Sequence, residues 1–133
     1  MSNNTLRFFT CTLFQQLLEY IKTIPFSVGF HIFLFSAMIN YFRNLKNQME
    51  KSDLLTEEVE NMKEIISYIS ENYKTITSKY STQISNFLEA LFDLYTQFPL
   101  KNGELYYSLG ICSLNFYKNC IKINSTHFLN NTN

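Results

Sequence analysis

The sequence predicts an all-α protein of about four helices, at 6–24, 26–50, 53–97 and 104–123, and three observations carry that prediction. Apolar residues between Leu55 and Tyr80 return in alternating steps of four and three, a spacing that keeps them on one helix face. An almost uncharged apolar run fills 24–42 and has the length of a helix rather than a strand. The flanking segments repeat the three-and-four spacing, at Leu6, Phe9, Leu13, Leu17, Tyr20 and Ile24, and again at Leu105, Leu109, Cys112, Phe116, Cys120 and Ile123.

The first helix is apolar along Leu6–Ile24 and carries Thr10, Gln15, Gln16 and Glu19 on its polar face. Those polar residues interrupt any signal-peptide core, and two cations, Arg7 and Lys22, are too few for a mitochondrial presequence. Pro25 stops the helix, because it has no N–H and pushes Ile24 out of the helical region. The same proline suits the first turn of the next helix.

That second helix begins with FSVGFHIFLFSAMINYF, interrupted by no formal charge apart from the titratable His31. The 19 residues from Ile24 to Phe42 would span roughly 28 Å as a helix, about one hydrocarbon thickness. Lys22, Arg43 and Lys46 bracket the run, with Tyr20 and Tyr41 placed as an interfacial aromatic belt. His31, Asn40, Ser27 and Ser36 dilute it, since each needs a partner in lipid. Two readings stand: a transmembrane helix, or the buried central helix of a bundle. Cations are too evenly split around the run to orient it in a membrane.

A new helix starts at 53–56, where Ser52, Asp53 and Thr56 can cap, and Glu57, Glu58 and Glu60 complement the positive helix end. Val59, Met62, Ile66, Ile69, Tyr73, Ile76 and Tyr80 continue the beat from Leu55 and form a seam that can take a partner. The beat fails at Gln83, where Ile84 is the apolar residue, and resumes through Phe87, Leu91 and Leu94, which is a stutter. Beyond it Leu88, Phe92 and Tyr95 widen the apolar face towards that of a bundle helix. An intermolecular coiled coil and a helix folded onto its own chain both fit. The helix should stop near Gln97, ahead of Phe98-Pro99 and the turn residues Lys101, Asn102 and Gly103.

Helix is preferred over hairpin for 104–123, because two lone strands would have no sheet to join. Glu104–Cys112 resembles the first helix of a tetratricopeptide repeat, with Tyr106, Leu109 and Gly110 at the aromatic, leucine and glycine positions. The resemblance covers fewer than twenty residues. Tyr117 and Cys120 fall two residues early for the motif, and no second copy is present for stacking. No family is assigned on it. The tail 124–133 is rich in Asn and Thr and reads as disordered, giving a single helical domain over 1–123.

The chemistry the chain lacks narrows its function. Eleven basic and eleven acidic residues cancel, so there is no basic surface for a nucleic acid. His31 and His127 have no metal-ligand spacing, and Gly29, Gly103 and Gly110 make no phosphate loop. Carboxylates cluster at Glu57, Glu58, Glu60 and Glu64, with Glu57, Glu60 and Glu64 on one face; a metal or acid-base site would want a His nearby, and the cluster reads as a solvated helix start. Glu89 and Asp93 form a mildly repelling pair that reads as exposed. Cys11, Cys112 and Cys120 form no CxxC; the last two would lie roughly 12 Å apart on a helix, too far for a disulfide. Lys118 and Lys122 could lower the pKa of a neighbouring thiol, though a buried structural role suits both cysteines better. The sequons Asn3-Asn4-Thr5, Asn124-Ser125-Thr126 and Asn130-Asn131-Thr132 carry little weight in an Asn-rich chain.

No catalytic, cofactor or small-molecule site follows from this inventory. The sequence therefore predicts a non-enzymatic protein working through a protein partner or self-association. Either it is a membrane-associated anchor or adaptor presenting the 53–97 helix, or it is a soluble, cytoplasmic helical-bundle interaction module with 24–42 in its core.

Overall fold

The computed structural model describes residues 3–24, 31–97 and 103–131. Six helices occur among them: α1 (Asn3–Ile21), α2 (His31–Lys51), α3 (Thr56–Glu71), α4 (Tyr73–Lys79), α5 (Ser81–Gln97) and α6 (Glu104–Asn131). The all-α class holds, and no strand occurs among the described residues. The expected count of four does not hold, because the 53–97 helix is three helices. The chain forms two compact units, Met1–Ile65 and Ile66–Asn133, whose boundary falls within α3.

In the first unit, α1 ends where the Thr23 and Ile24 amides donate to the Tyr20 and Ile21 carbonyls, and the Thr23 hydroxyl also bonds Tyr20. The expected stop at Pro25 lies outside the described residues, as do residues 25–30 of the apolar run. The described part of that run belongs to α2, which is amphipathic. It buries Phe35, Met38, Ile39, Tyr41, Phe42, Leu45 and Met49, and exposes Phe33, Asn40, Arg43, Asn44, Asn47 and Glu50. The strongly apolar, bilayer-spanning helix is therefore not found: no helix among the described residues is long and apolar enough to cross a membrane. The reason is continuity. α2 runs on through Arg43–Lys51, and the polar residues recur at the spacing of one face.

The start of α3 also differs from the expected caps. Leu55 precedes the first helical residue, and its amide donates to Glu58 Oε1 at 2.8 Å. A glutamate three residues into a helix that reaches back in this way makes half of a capping box. Leu54 is buried beside this start.

In the second unit, α3 gives way to α4 at Asn72, whose φ and ψ are −111° and 14°. The Asn72 side-chain amide donates to the Tyr68 carbonyl at 2.9 Å, and the Asn72 backbone amide donates to the same oxygen at 3.2 Å. Local side-chain bonding of this kind is how asparagine competes with helix continuation. α4 ends at Tyr80, with φ −131° and ψ 50°. The Tyr80 amide still reaches the Ile76 carbonyl at 2.7 Å, and the Ile84 amide reaches the Tyr80 carbonyl at 3.0 Å. The break thus falls at the stutter, where a straight helix could not bury both Ile76 and Ile84 along one line.

α5 buries Ile84, Phe87, Ala90, Leu91 and Leu94. The expected wide face is narrower, since Phe92 and Tyr95 are exposed and Leu88 is half-buried. Gly103 stands ahead of α6 with φ 136°, a conformation that side chains disfavour, and its carbonyl accepts from the Tyr107 amide. α6 is helical rather than hairpin and runs beyond the expected end at 123 to Asn131, taking in most of the predicted tail.

Candidate functional site

The predicted seam is covered within the single chain. Val59, Met62, Ile66 and Ile69 on α3, and Tyr73 and Ile76 on α4, are all buried, while Tyr80 is half-buried at the break after α4. In the second unit the Tyr73 ring meets Phe116 edge-on at 5.9 Å, and Phe87 meets the same ring at 5.6 Å. The 3–4 beat marked a packing face.

The first unit contains a buried polar cluster. Glu58, expected in a solvated helix start, is 2% exposed. Arg7 Nε donates to both of its carboxylate oxygens, at 2.9 and 3.0 Å, while Arg7 Nη2 also donates to the Asp53 carbonyl at 2.8 Å. One guanidinium thus ties α1 to the turn before α3 and to its first turn. One α3 turn further on, buried Asn61 donates from Nδ2 to the Cys11 carbonyl at 3.1 Å, the Cys11 sulfur at 3.5 Å and the Tyr41 hydroxyl at 3.0 Å. Tyr41 stacks on Phe14 with ring centroids 4.0 Å apart. α1, α2 and α3 therefore meet on satisfied polar groups.

Burial favours the protonated forms of Cys11 and Tyr41 in this cluster. Burial pushes the Cys11 thiol above its ordinary value, and the nearby Glu58 and Glu57 carboxylates push the same way, outweighing the Tyr41 hydrogen bond. Burial likewise raises the Tyr41 phenol. A protonated thiol is a poor nucleophile and metal ligand. The other carboxylates on α3 stay at the surface, where Glu64 pairs with Lys22 and Glu60 with Lys63.

In the second unit, burial raises the Cys120 thiol to about 11 against a hydrogen bond from Tyr73. Desolvation thus outweighs any lowering that Lys118 and Lys122 could supply, and Cys120 is buried, as expected. Cys112 is half-buried, and all three cysteines are free. The Tyr117 hydroxyl is buried without a partner, and burial raises its pKa. Glu89 is exposed, whereas Asp93 is half-buried. Among the described residues no three His, Cys, Asp or Glu side chains gather to hold a metal ion. His31 and His127 have side chains outside the described set.

What remains available for recognition is apolar surface. On α1, Leu6, Phe9, Leu13 and Tyr20 are 53%, 61%, 51% and 57% exposed. They belong to the stripe that the sequence marks as the apolar face. The chain buries a second stripe instead, with Cys11, Leu18 and Ile21 buried and Arg7 and Phe14 half-buried. α1 thus has two apolar faces, and the chain itself covers one. α6 repeats the pattern: Tyr106, Leu109, Ser113, Phe116 and Cys120 are buried, while Tyr107, Ile111, Leu114 and Ile121 are exposed. The sequence signal for these outer faces is an apolar helix with two interleaved 3–4 series, where one is enough for folding.

Comparison with known proteins finds no match: no family model, no curated protein and no solved structure matches this chain.

Proposed function

We propose that the protein is a non-enzymatic helical-bundle interaction module whose first unit docks the apolar face of an amphipathic helix from another protein onto the outer stripe of α1. The observation that carries this reading is the exposed series Leu6, Phe9, Leu13 and Tyr20, on a helix whose other apolar face is already used. Contiguous exposed apolar surface of this kind marks interaction sites, and helix-in-groove recognition uses anchors at this spacing. The stripe carries no formal charge and is flanked by Thr10, Thr12 and Gln16. Arg7 on α1 and Lys22 just after it are paired with Glu58 and Glu64. An apolar protein surface suits such a face better than anionic lipid headgroups, which call for available Lys and Arg.

The test uses the full chain and its Leu13→Glu variant as paired baits. A partner should be recovered by the first and lost from the second. With both proteins purified, affinity should fall about a hundredfold, as for a buried anchor residue in an interface. If the variant, shown to be folded by circular dichroism, recovers the same proteins as the parent, the reading fails.

A further inference from the structure

We propose that the outer face of α6 is a self-association surface that pairs two copies of the chain as antiparallel helices. It is a different surface from the α1 stripe and does not depend on the reading given for that stripe.

The series is Tyr107, Ile111, Leu114, Lys118 and Ile121, with steps of four, three, four and three. Tyr107 is 72% exposed and Ile121 67%, Ile111 and Leu114 are also exposed, and Lys118 sits in the exposed part of the same helix. The inner face of α6 is occupied by Leu109, Ser113 and Phe116, all buried. α6 therefore carries a second seam with coiled-coil spacing, whose apolar residues are left exposed among the described residues.

The charged residues choose the occupant and its direction. A lone lysine on such a seam specifies register and orientation at a cost in stability. In a parallel pair Lys118 would face Lys118, and Glu104 would face Glu104, so like charges would meet twice. In an antiparallel pair with its twofold axis between Cys112 and Ser113, Ile111 lies opposite Leu114. Tyr107 then lies opposite Lys118, and Glu104, itself opposite Ile121, falls within one turn of the same lysine. The ammonium gains the face of an aromatic ring and a carboxylate. The face is thus complementary to itself in one orientation only, as a twofold interface requires. An unrelated partner would have to reproduce this order of charge, ring and aliphatic groups; a second copy supplies it automatically.

The experiment is sedimentation equilibrium of the full chain over roughly 5–500 μM, the range suited to a small interface. A monomer–dimer equilibrium is expected. Leu114→Glu should weaken it about a hundredfold. Lys118→Glu and Glu104→Lys should each weaken it about threefold to tenfold, and the double charge exchange should restore it. Circular dichroism shows that each variant is folded. A chain that stays monomeric throughout, or a dimer indifferent to Leu114→Glu, overturns the proposal. Restoration that fails in the double variant overturns the antiparallel order. A dimer broken by Leu13→Glu instead would place self-association on α1 and overturn the assignment to α6.

Discussion

Both compact units bury apolar side chains, but they differ in what else crosses their helices. In 3–65 an apolar core that includes Phe35, Met38 and Phe42 is accompanied by a buried polar network: the Arg7–Glu58 pair with its bonds to Asp53 and Leu55, and the Asn61 amide bound to Cys11 and Tyr41. In 66–131 the contacts at the centre are aromatic, with Tyr73 and Phe87 set edge-on around Phe116. Buried polar groups are satisfied in few geometries, so they punish a wrong register heavily. Aromatic packing contributes more area and tolerates small displacements. The first unit should therefore be the more specific of the two in its packing, and the second the more dependent on single large side chains.

The sharpest way to break this comparison is to remove the shared ring. Phe116 is 1% exposed, and Phe116→Ala should cost about 3–5 kcal/mol through lost burial and the cavity left behind. Hydrogen exchange on the full chain should show the loss in 66–131, with amides of α1 and α2 retaining more protection. Equal loss of protection throughout would mean that the two units unfold together and that the distinction has no energetic content.

The corresponding change in the first unit is Arg7→Met. It leaves the Glu58 carboxylate buried with only the Leu55 amide as a named partner, and removing one member of a buried pair costs about 3 kcal/mol or more. Pairing it with Glu58→Gln removes the charge and keeps the capping bond to Leu55. Chemical denaturation should find most of the loss recovered in the double variant. If the single variant alone costs under about 1 kcal/mol, the pair behaves like a surface ion pair, and the polar network does not define the first unit.

The fold was legible where one physical rule decided. Few breakers and persistent 3–4 spacing lead to helices, and they do. The long helix was misread because apolar spacing reports which face is buried, not whether the backbone is continuous. Asn72 stops α3 through a bond to its own preceding turn, a local competition invisible to a hydrophobic pattern. Glu58 was read as solvated because charge at a helix start favours that reading, and its partner Arg7 lies 51 residues away. On α1 both apolar series were present in the sequence, but which one the chain covers depends on Arg7, Cys11 and Asn61 meeting across the fold. Most of the predicted seam is buried in the single chain for a related reason: good packing residues are what the chain buries first.

The smallest effect is the part of a pH dependence that Cys120 supplies in the second unit, beside contributions of the same sign from Cys11 and Tyr41 in the first. Cys120 is 8% exposed, and its thiol is raised from 9.0 to about 11 by burial. A group whose folded pKa lies above its unfolded value keeps its stabilising contribution below the unfolded pKa and loses it as pH rises through the folded one. Below pH 9 both states hold the proton and stability does not change with this group. Between pH 9 and about 11 the unfolded chain gives up the proton first, so stability falls, by no more than about 1.4 kcal/mol per pH unit for one proton. Cys120→Ala should flatten that part of the curve, measured as the denaturation midpoint from pH 8 to 11. Tyr68, raised to about 12 by burial, contributes the same sign above pH 10 and remains in the variant as an internal reference. A curve with an unchanged slope after the substitution would mean that the thiol ionises in the folded state as readily as in water, and that the aromatic core admits solvent where Cys120 sits.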